Sequence, residues 1–88
     1  MIEKDLKVQN RLGLHARPAA KIAQVAAKHA ASVKIVKDGM EINAKSVMGI
    51  MMLAADKGST LRFIVDGEGE AQLISEIEKL FKAKFDED

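Results

Sequence analysis

The chain has 88 residues, 48% of them hydrophobic, and a formal net charge of +1. That length suits one small domain over residues 1–88, and the absence of cysteine excludes disulfides and thiolate metal sites. No apolar run approaches the roughly 18 residues of a membrane span, and the opening Glu3, Lys4 and Asp5 do not resemble a signal peptide, so the expected location is the cytoplasm.

Leu6 and Val8 alternate with Lys7 and Gln9, which predicts a first strand over about residues 2–9. Arg11 to Leu14 form a turn, with Gly13 supplying backbone freedom. A helix follows from Ala16 to about Lys28. Pro18 sits in its first turn, where no intrahelical N–H bond is lost. Ala19, Ile22, Ala23 and Ala26 share one face. Val33 and Ile35 mark a second strand, Asp38-Gly39 a tight hairpin, and Met40 and Ile42 a short third strand. Ser46 is a favoured N-cap before the apolar run that starts at Val47, so a short helix begins there. Leu61, Phe63 and Val65 mark a fourth strand. Leu73, Ile74, Ile77, Leu80 and Phe81 carry helical spacing within a last helix over about Glu70 to Lys84. The order βαββαβα implies a two-layer α+β sandwich: a four-stranded antiparallel sheet with three helices on one face.

Charge is unevenly spread. Residues 1–45 hold nine Lys or Arg against four Asp or Glu; residues 46–88 hold five against nine. The basic half contains His15 and could steer an anionic group toward it. The same count also describes ordinary surface charge. The basic residues are scattered, and Phe63, Phe81 and Phe85 lie outside the basic half, which argues against nucleic acid.

His15 admits two readings. One is a capping or packing histidine. The other is a phosphoryl acceptor at a helix start, where free N–H groups, the positive end of the macrodipole and Arg17 all favour one anion. Nearby positive charge favours a neutral, nucleophilic imidazole and then neutralises the transferred phosphoryl oxygens. No acidic dyad, metal-ligand cluster or serine triad accompanies His15, which argues against a self-contained hydrolase. His29 lies near the end of the same helix and reads as solvated or as stabilising that helix end. Ser46 is first a cap, although a phosphoryl group there would also sit at a helix start. Among Val47, Met48, Met51 and Met52, some side chains must be exposed, and flexible methionines suit a surface that meets several partners.

Gly13-Leu14-His15-Ala16-Arg17-Pro18-Ala19 and Lys45-Ser46-Val47-Met48-Gly49 resemble the two signature regions of the HPr family, the histidine-containing phosphocarriers of the bacterial phosphotransferase system. The resemblance spans essentially the whole chain. It implies that His15 accepts a phosphoryl group from phospho-Enzyme I on Nδ1 and passes it to IIA domains for sugar uptake, with Arg17 as the active-site arginine. It implies that Ser46 is a regulatory serine, the target of an HPr kinase/phosphorylase where one exists. Leu14, Ala20, Val47, Met48 and Met51 match the family's partner surface. The implied protein is a monomeric carrier, not an enzyme, without cofactor or metal and without membrane insertion. The second motif is closer to HPr from bacteria with the kinase than to the enteric type. Two alternatives stay open: a nitrogen-branch paralogue serving a regulatory IIA protein, and a non-catalytic α+β binding module in which His15 is a cap. An RNA-binding version of that module is disfavoured, since the strands lack stacking aromatics. A regulatory relative without transport work would lack the histidine, and His15 is present.

Overall fold

The computed structural model describes residues 1–87, so the domain expected over 1–88 reaches one residue, Asp88, outside the described residues. The elements run β1 (Ile2–Lys7), α1 (Ala16–Ala27), β2 (Ser32–Lys37), β3 (Met40–Asn43), α2 (Val47–Met52), β4 (Thr60–Asp66) and α3 (Glu70–Lys82), followed by a 3₁₀ turn at Lys84–Asp86. The strands form one antiparallel sheet in the order β1-β4-β2-β3, with the helices on one face. This is the expected βαββαβα sandwich.

Period-two patterning places the sheet. Leu61, Phe63 and Val65 of β4 are fully buried, while Arg62 between them is exposed. As an inner strand, β4 pairs Leu61 with Leu6 of β1 and Phe63 with Ile35 of β2. The β2–β3 hairpin closes through Asp38 and Gly39, whose φ angles of 49° and 83° match the turn that the right-handed strand twist prefers. The helices cover the apolar face with Ala19, Ile22, Ala23 and Ala26 from α1 and Leu73, Ile74, Ile77 and Phe81 from α3. Alanines on α1 keep it close to its neighbours.

Two boundaries differ from the sequence reading. Strand β1 stops pairing at Lys7, where the chain meets the turn at Lys57-Gly58. Val8 stays buried beyond it, donating to the Ser59 carbonyl at 2.9 Å and accepting from the Gly58 N–H at 2.8 Å. Helix α3 ends at Lys82 rather than Lys84, because Lys84, Phe85 and Asp86 all turn left-handed, with φ of 52°, 56° and 59°. That conformation costs roughly 1–2 kcal/mol for a residue with a Cβ. Burial of Phe85 offsets it: the ring packs edge-on to Phe81 at 5.0 Å, and Phe81 packs edge-on to Phe63 at 5.6 Å.

The middle ring of this stack joins sheet, helix and C-terminal turn. Phe81→Ala should therefore lower the free energy of unfolding by about 3–5 kcal/mol in urea titration. A loss below about 1 kcal/mol would show that the three rings do not act as one cluster.

Candidate functional site at the start of the first helix

His15 is the N-cap of α1. Its backbone is extended, with φ −76° and ψ −170°, and its carbonyl accepts from the Ala19 N–H at 3.1 Å. Its side chain makes no capping hydrogen bond to the helix it precedes. The first-turn N–H groups of Ala16 and Arg17 lack an intrahelical acceptor by position, and no acidic residue lies in that turn. Arg17 is exposed, and among the described residues it has no hydrogen bond or ion pair. This helix end is thus positive and open.

The loop that delivers His15 is fixed by backbone contact. Leu14 N–H donates to the Ala55 carbonyl at 2.9 Å. Gly13 has φ +70°, and a Cβ there would strike that carbonyl oxygen and lie 3.0 Å from the Asp56 Cα. Only glycine suits this close approach in this conformation. The same contact turns Leu14 inward. Expected on the partner surface, Leu14 is only 4% exposed and belongs to the core, so it supports that surface from beneath.

The C-terminal segment brings a carboxylate to His15. Glu87 Oε2 lies 2.8 Å from His15 Nε2. The other oxygen, Oε1, accepts from Asn10 Nδ2 at 3.0 Å, and the same Nδ2 donates to the Gly13 carbonyl at 2.7 Å. Asn10 is fully buried, and the Glu87 side chain is 11% exposed against 38% for His15. Lys21 Nζ holds the segment from the other side, donating to the Phe85 carbonyl at 2.8 Å. Nδ1 of His15 has no partner among the described residues. Sequence reasoning found positive charge around His15 and missed this carboxylate, 72 positions away in the chain.

His29 is not solvated; it follows the end of α1, where its backbone N–H donates to the Ala26 carbonyl at 3.3 Å. It is largely buried beside Gly69, with Nε2 3.5 Å from Glu76 Oε2.

Ser46 caps α2 as expected: it is extended, and its Oγ accepts from the Gly49 N–H at 3.0 Å while remaining exposed. Within this six-residue helix only Ile50 is fully buried. Met48 is 73% exposed, and Met51 and Met52 are exposed as well; Val47 and Ala20 are half-buried. Leu12, in the loop before His15, is a further exposed apolar side chain that sequence periodicity could not mark. Helices α1 and α2 pack together, and Lys45 Nζ ties the start of α2 to the His29 carbonyl at 2.9 Å. Thus the Met-rich surface and the His15 helix form parts of one packed layer.

A family model described as "PTS HPr component phosphorylation site" matches residues 2–83. The phosphocarrier protein HPr of Treponema pallidum is 46% identical over 88 residues, covering all of both chains. That of Xylella fastidiosa (strain Temecula1) is 43% identical over 88 residues, covering all of this chain and 99% of the relative. The crystal structure of HPr-C-His from Thermoanaerobacter tengcongensis superposes with a TM-score of 0.95 at 38% identity, covering 100% of this chain and 99% of the other.

Gly13→Ala should destabilise the domain by about 2 kcal/mol or more, since it adds both a clash and a strained left-handed alanine. Thermal unfolding monitored by circular dichroism measures this. An unchanged midpoint would mean that the loop can move off Ala55 freely.

Proposed function

The chain belongs to the HPr family of phosphotransferase-system phosphocarriers, and from that premise we propose that His15 accepts a phosphoryl group on Nδ1 from phospho-Enzyme I and hands it to IIA domains for sugar uptake. The observation that supports this most is the state of the imidazole: Nε2 is engaged, Nδ1 has no partner among the described residues, and the ring belongs to the N-cap of an open, positive helix start. Phosphoryl transfer asks chiefly for positioning and charge neutralisation. The helix N–H groups and the Arg17 guanidinium supply the second. The carboxylate beside the ring, Glu87, meets Nε2 and leaves Nδ1 for the cargo.

One surface must meet both donor and acceptors, so binding has to be transient. A small apolar centre of Met48 and Met51, flanked by Val47 and Ala20, suits a modest interface whose partners exchange. Ser46 borders that centre. Its phosphorylation by an HPr kinase/phosphorylase would add nearly two negative charges at the rim while leaving the cap oxygen in place. The new charge would oppose an acidic partner and raise the desolvation cost of docking.

The test is labelling with phosphoenolpyruvate and Enzyme I. His15→Ala should stay folded and gain no acid-labile phosphoryl group; labelling equal to wild type would remove His15 from the reaction. Arg17→Ala should slow transfer by roughly tenfold or more, with Arg17→Lys restoring only part, because lysine brings charge without the two-pronged donor geometry. Equal rates for all three proteins would mean Arg17 does not touch the phosphoryl group. Ser46→Asp should weaken Enzyme I binding by roughly three- to tenfold in calorimetric titration. An unchanged Kd, also for the phosphoserine form, would leave Ser46 as a cap alone.

A further inference from the structure

We propose that Glu87 is a positioning residue for phosphoryl transfer: it holds the imidazole proton of His15 on Nε2 and so leaves the Nδ1 lone pair free for phosphorus. The inference rests on the reading of His15 as the phosphoryl acceptor, and it adds a residue from the opposite end of the chain.

The direction of each hydrogen bond follows from one fixed group. The Gly13 carbonyl can only accept, so the Asn10 atom 2.7 Å from it is the amide nitrogen. That nitrogen has a second hydrogen, which points to Glu87 Oε1 at 3.0 Å. The Glu87 carboxylate therefore faces a donor on one oxygen, and ionised it can only accept on the other. Its Oε2, 2.8 Å from His15 Nε2, then requires the proton on that nitrogen. A neutral imidazole carries one ring proton, so Nδ1 is bare. The chain Gly13–Asn10–Glu87–His15 thus selects a tautomer.

Two features show that the fold holds this arrangement at a cost. Asn10 is fully buried, and its Oδ1 has no hydrogen-bond partner among the described residues, so its side chain is held through the amide NH₂ group alone. Lys84, Phe85 and Asp86 adopt consecutive left-handed conformations immediately before Glu87. The buried Phe85 ring and the Lys21 bond to the Phe85 carbonyl anchor that turn. Its product is a carboxylate delivered to the imidazole edge opposite Nδ1.

The chemistry balances without a further reactant. The Nδ1 lone pair forms the bond to phosphorus while the bond from phosphorus to the donor atom breaks, and that electron pair leaves with the donor. No proton has to leave Nδ1. The ring becomes an N-phosphoryl imidazolium, and Glu87 neutralises its charge at Nε2. When an acceptor takes the phosphoryl group, the N–P electron pair returns to Nδ1. The protonated ring is the better leaving group for that step, so the same contact serves acceptance and release.

Glu87→Gln separates tautomer selection from shape. The fixed Asn10 donor draws the glutamine oxygen, which turns the NH₂ group toward His15 Nε2 and favours a lone pair there. Nitrogen-15 NMR of the full-length protein, at a pH where the imidazole is neutral, should show the His15 signals moving toward the Nδ1–H form. The second-order rate of phosphoryl acceptance from Enzyme I should fall by roughly tenfold. Glu87→Ala removes the selection without inverting it, and should give a smaller tautomer shift and a smaller loss of rate. Asp86→Asn removes the same charge one residue earlier and tolerates the left-handed backbone, and it should leave both readings unchanged. A wild-type nitrogen-15 spectrum together with a wild-type rate in Glu87→Gln would overturn the proposal. If wild-type protein fails to label at all, the carrier reading falls instead, while the spectrum still decides the tautomer.

Discussion

The site depends on one close approach, that of the Gly13 backbone to the Ala55 carbonyl. It joins the loop before α1 to the loop after α2, and so sets the height at which His15 enters the helix. It also turns Leu14 into the core and aims the Gly13 carbonyl at Asn10. A Cβ at this position would break three relations together, because they share one peptide segment. A glycine with a positive φ is therefore as much a part of the histidine's environment as any charged side chain.

Around His15, charge is divided by direction. On one side lie the open N–H groups of α1 and an arginine, Arg17, without a hydrogen bond or ion pair among the described residues, all favourable to an anion. On the other side lies the Glu87 carboxylate, unfavourable to an anion but favourable to a proton on Nε2. A positive environment alone would attract phosphate without choosing between the two ring nitrogens. A carboxylate alone would repel the incoming group. In the proposed transfer, Nε2 keeps its proton on the Glu87 side and Nδ1 is left for the phosphoryl group. Partial burial of Glu87 strengthens the contact, since less water screens it than at the exposed ion pairs on the far side of the sheet, such as Arg62 with Asp5.

The parts of this structure that local rules control could be read from the residues. Period-two apolar patterning located β4, an Asp-Gly pair located the β2–β3 hairpin, and serine before an apolar run located α2. His15 and Arg17 were legible for the same reason: their relation runs through one helix start. What could not be read depends on contacts between distant segments. Leu14 carries no mark that separates a core leucine from a surface one; its burial follows from the Ala55 bond. Glu87 follows a helix whose periodicity runs to about Lys84, and no local pattern marks what the chain does after it. The left-handed turn that ends it exists because the Phe85 ring finds Phe81. Asn10 likewise gains its meaning only from the carbonyl and carboxylate at either side of it.

The apolar surface beside the site follows from the shortness of α2. Six residues make fewer than two turns, so one side can be buried, through Ile50, while Met48, Met51 and Met52 must face outward. A longer helix could have carried polar side chains along that outer side. Gly49 adds to the constraint: its N–H is the one the Ser46 cap satisfies, and a side chain there would approach the Ser46 Oγ at 3.4 Å. Cap, glycine and exposed methionines are therefore one local solution rather than three features. In that solution the hydroxyl that secures the helix is also the polar group nearest in sequence to the apolar centre. Ile50 and Leu53 carry the inner side of this segment into the core, while the Ser46 hydroxyl stays at the surface.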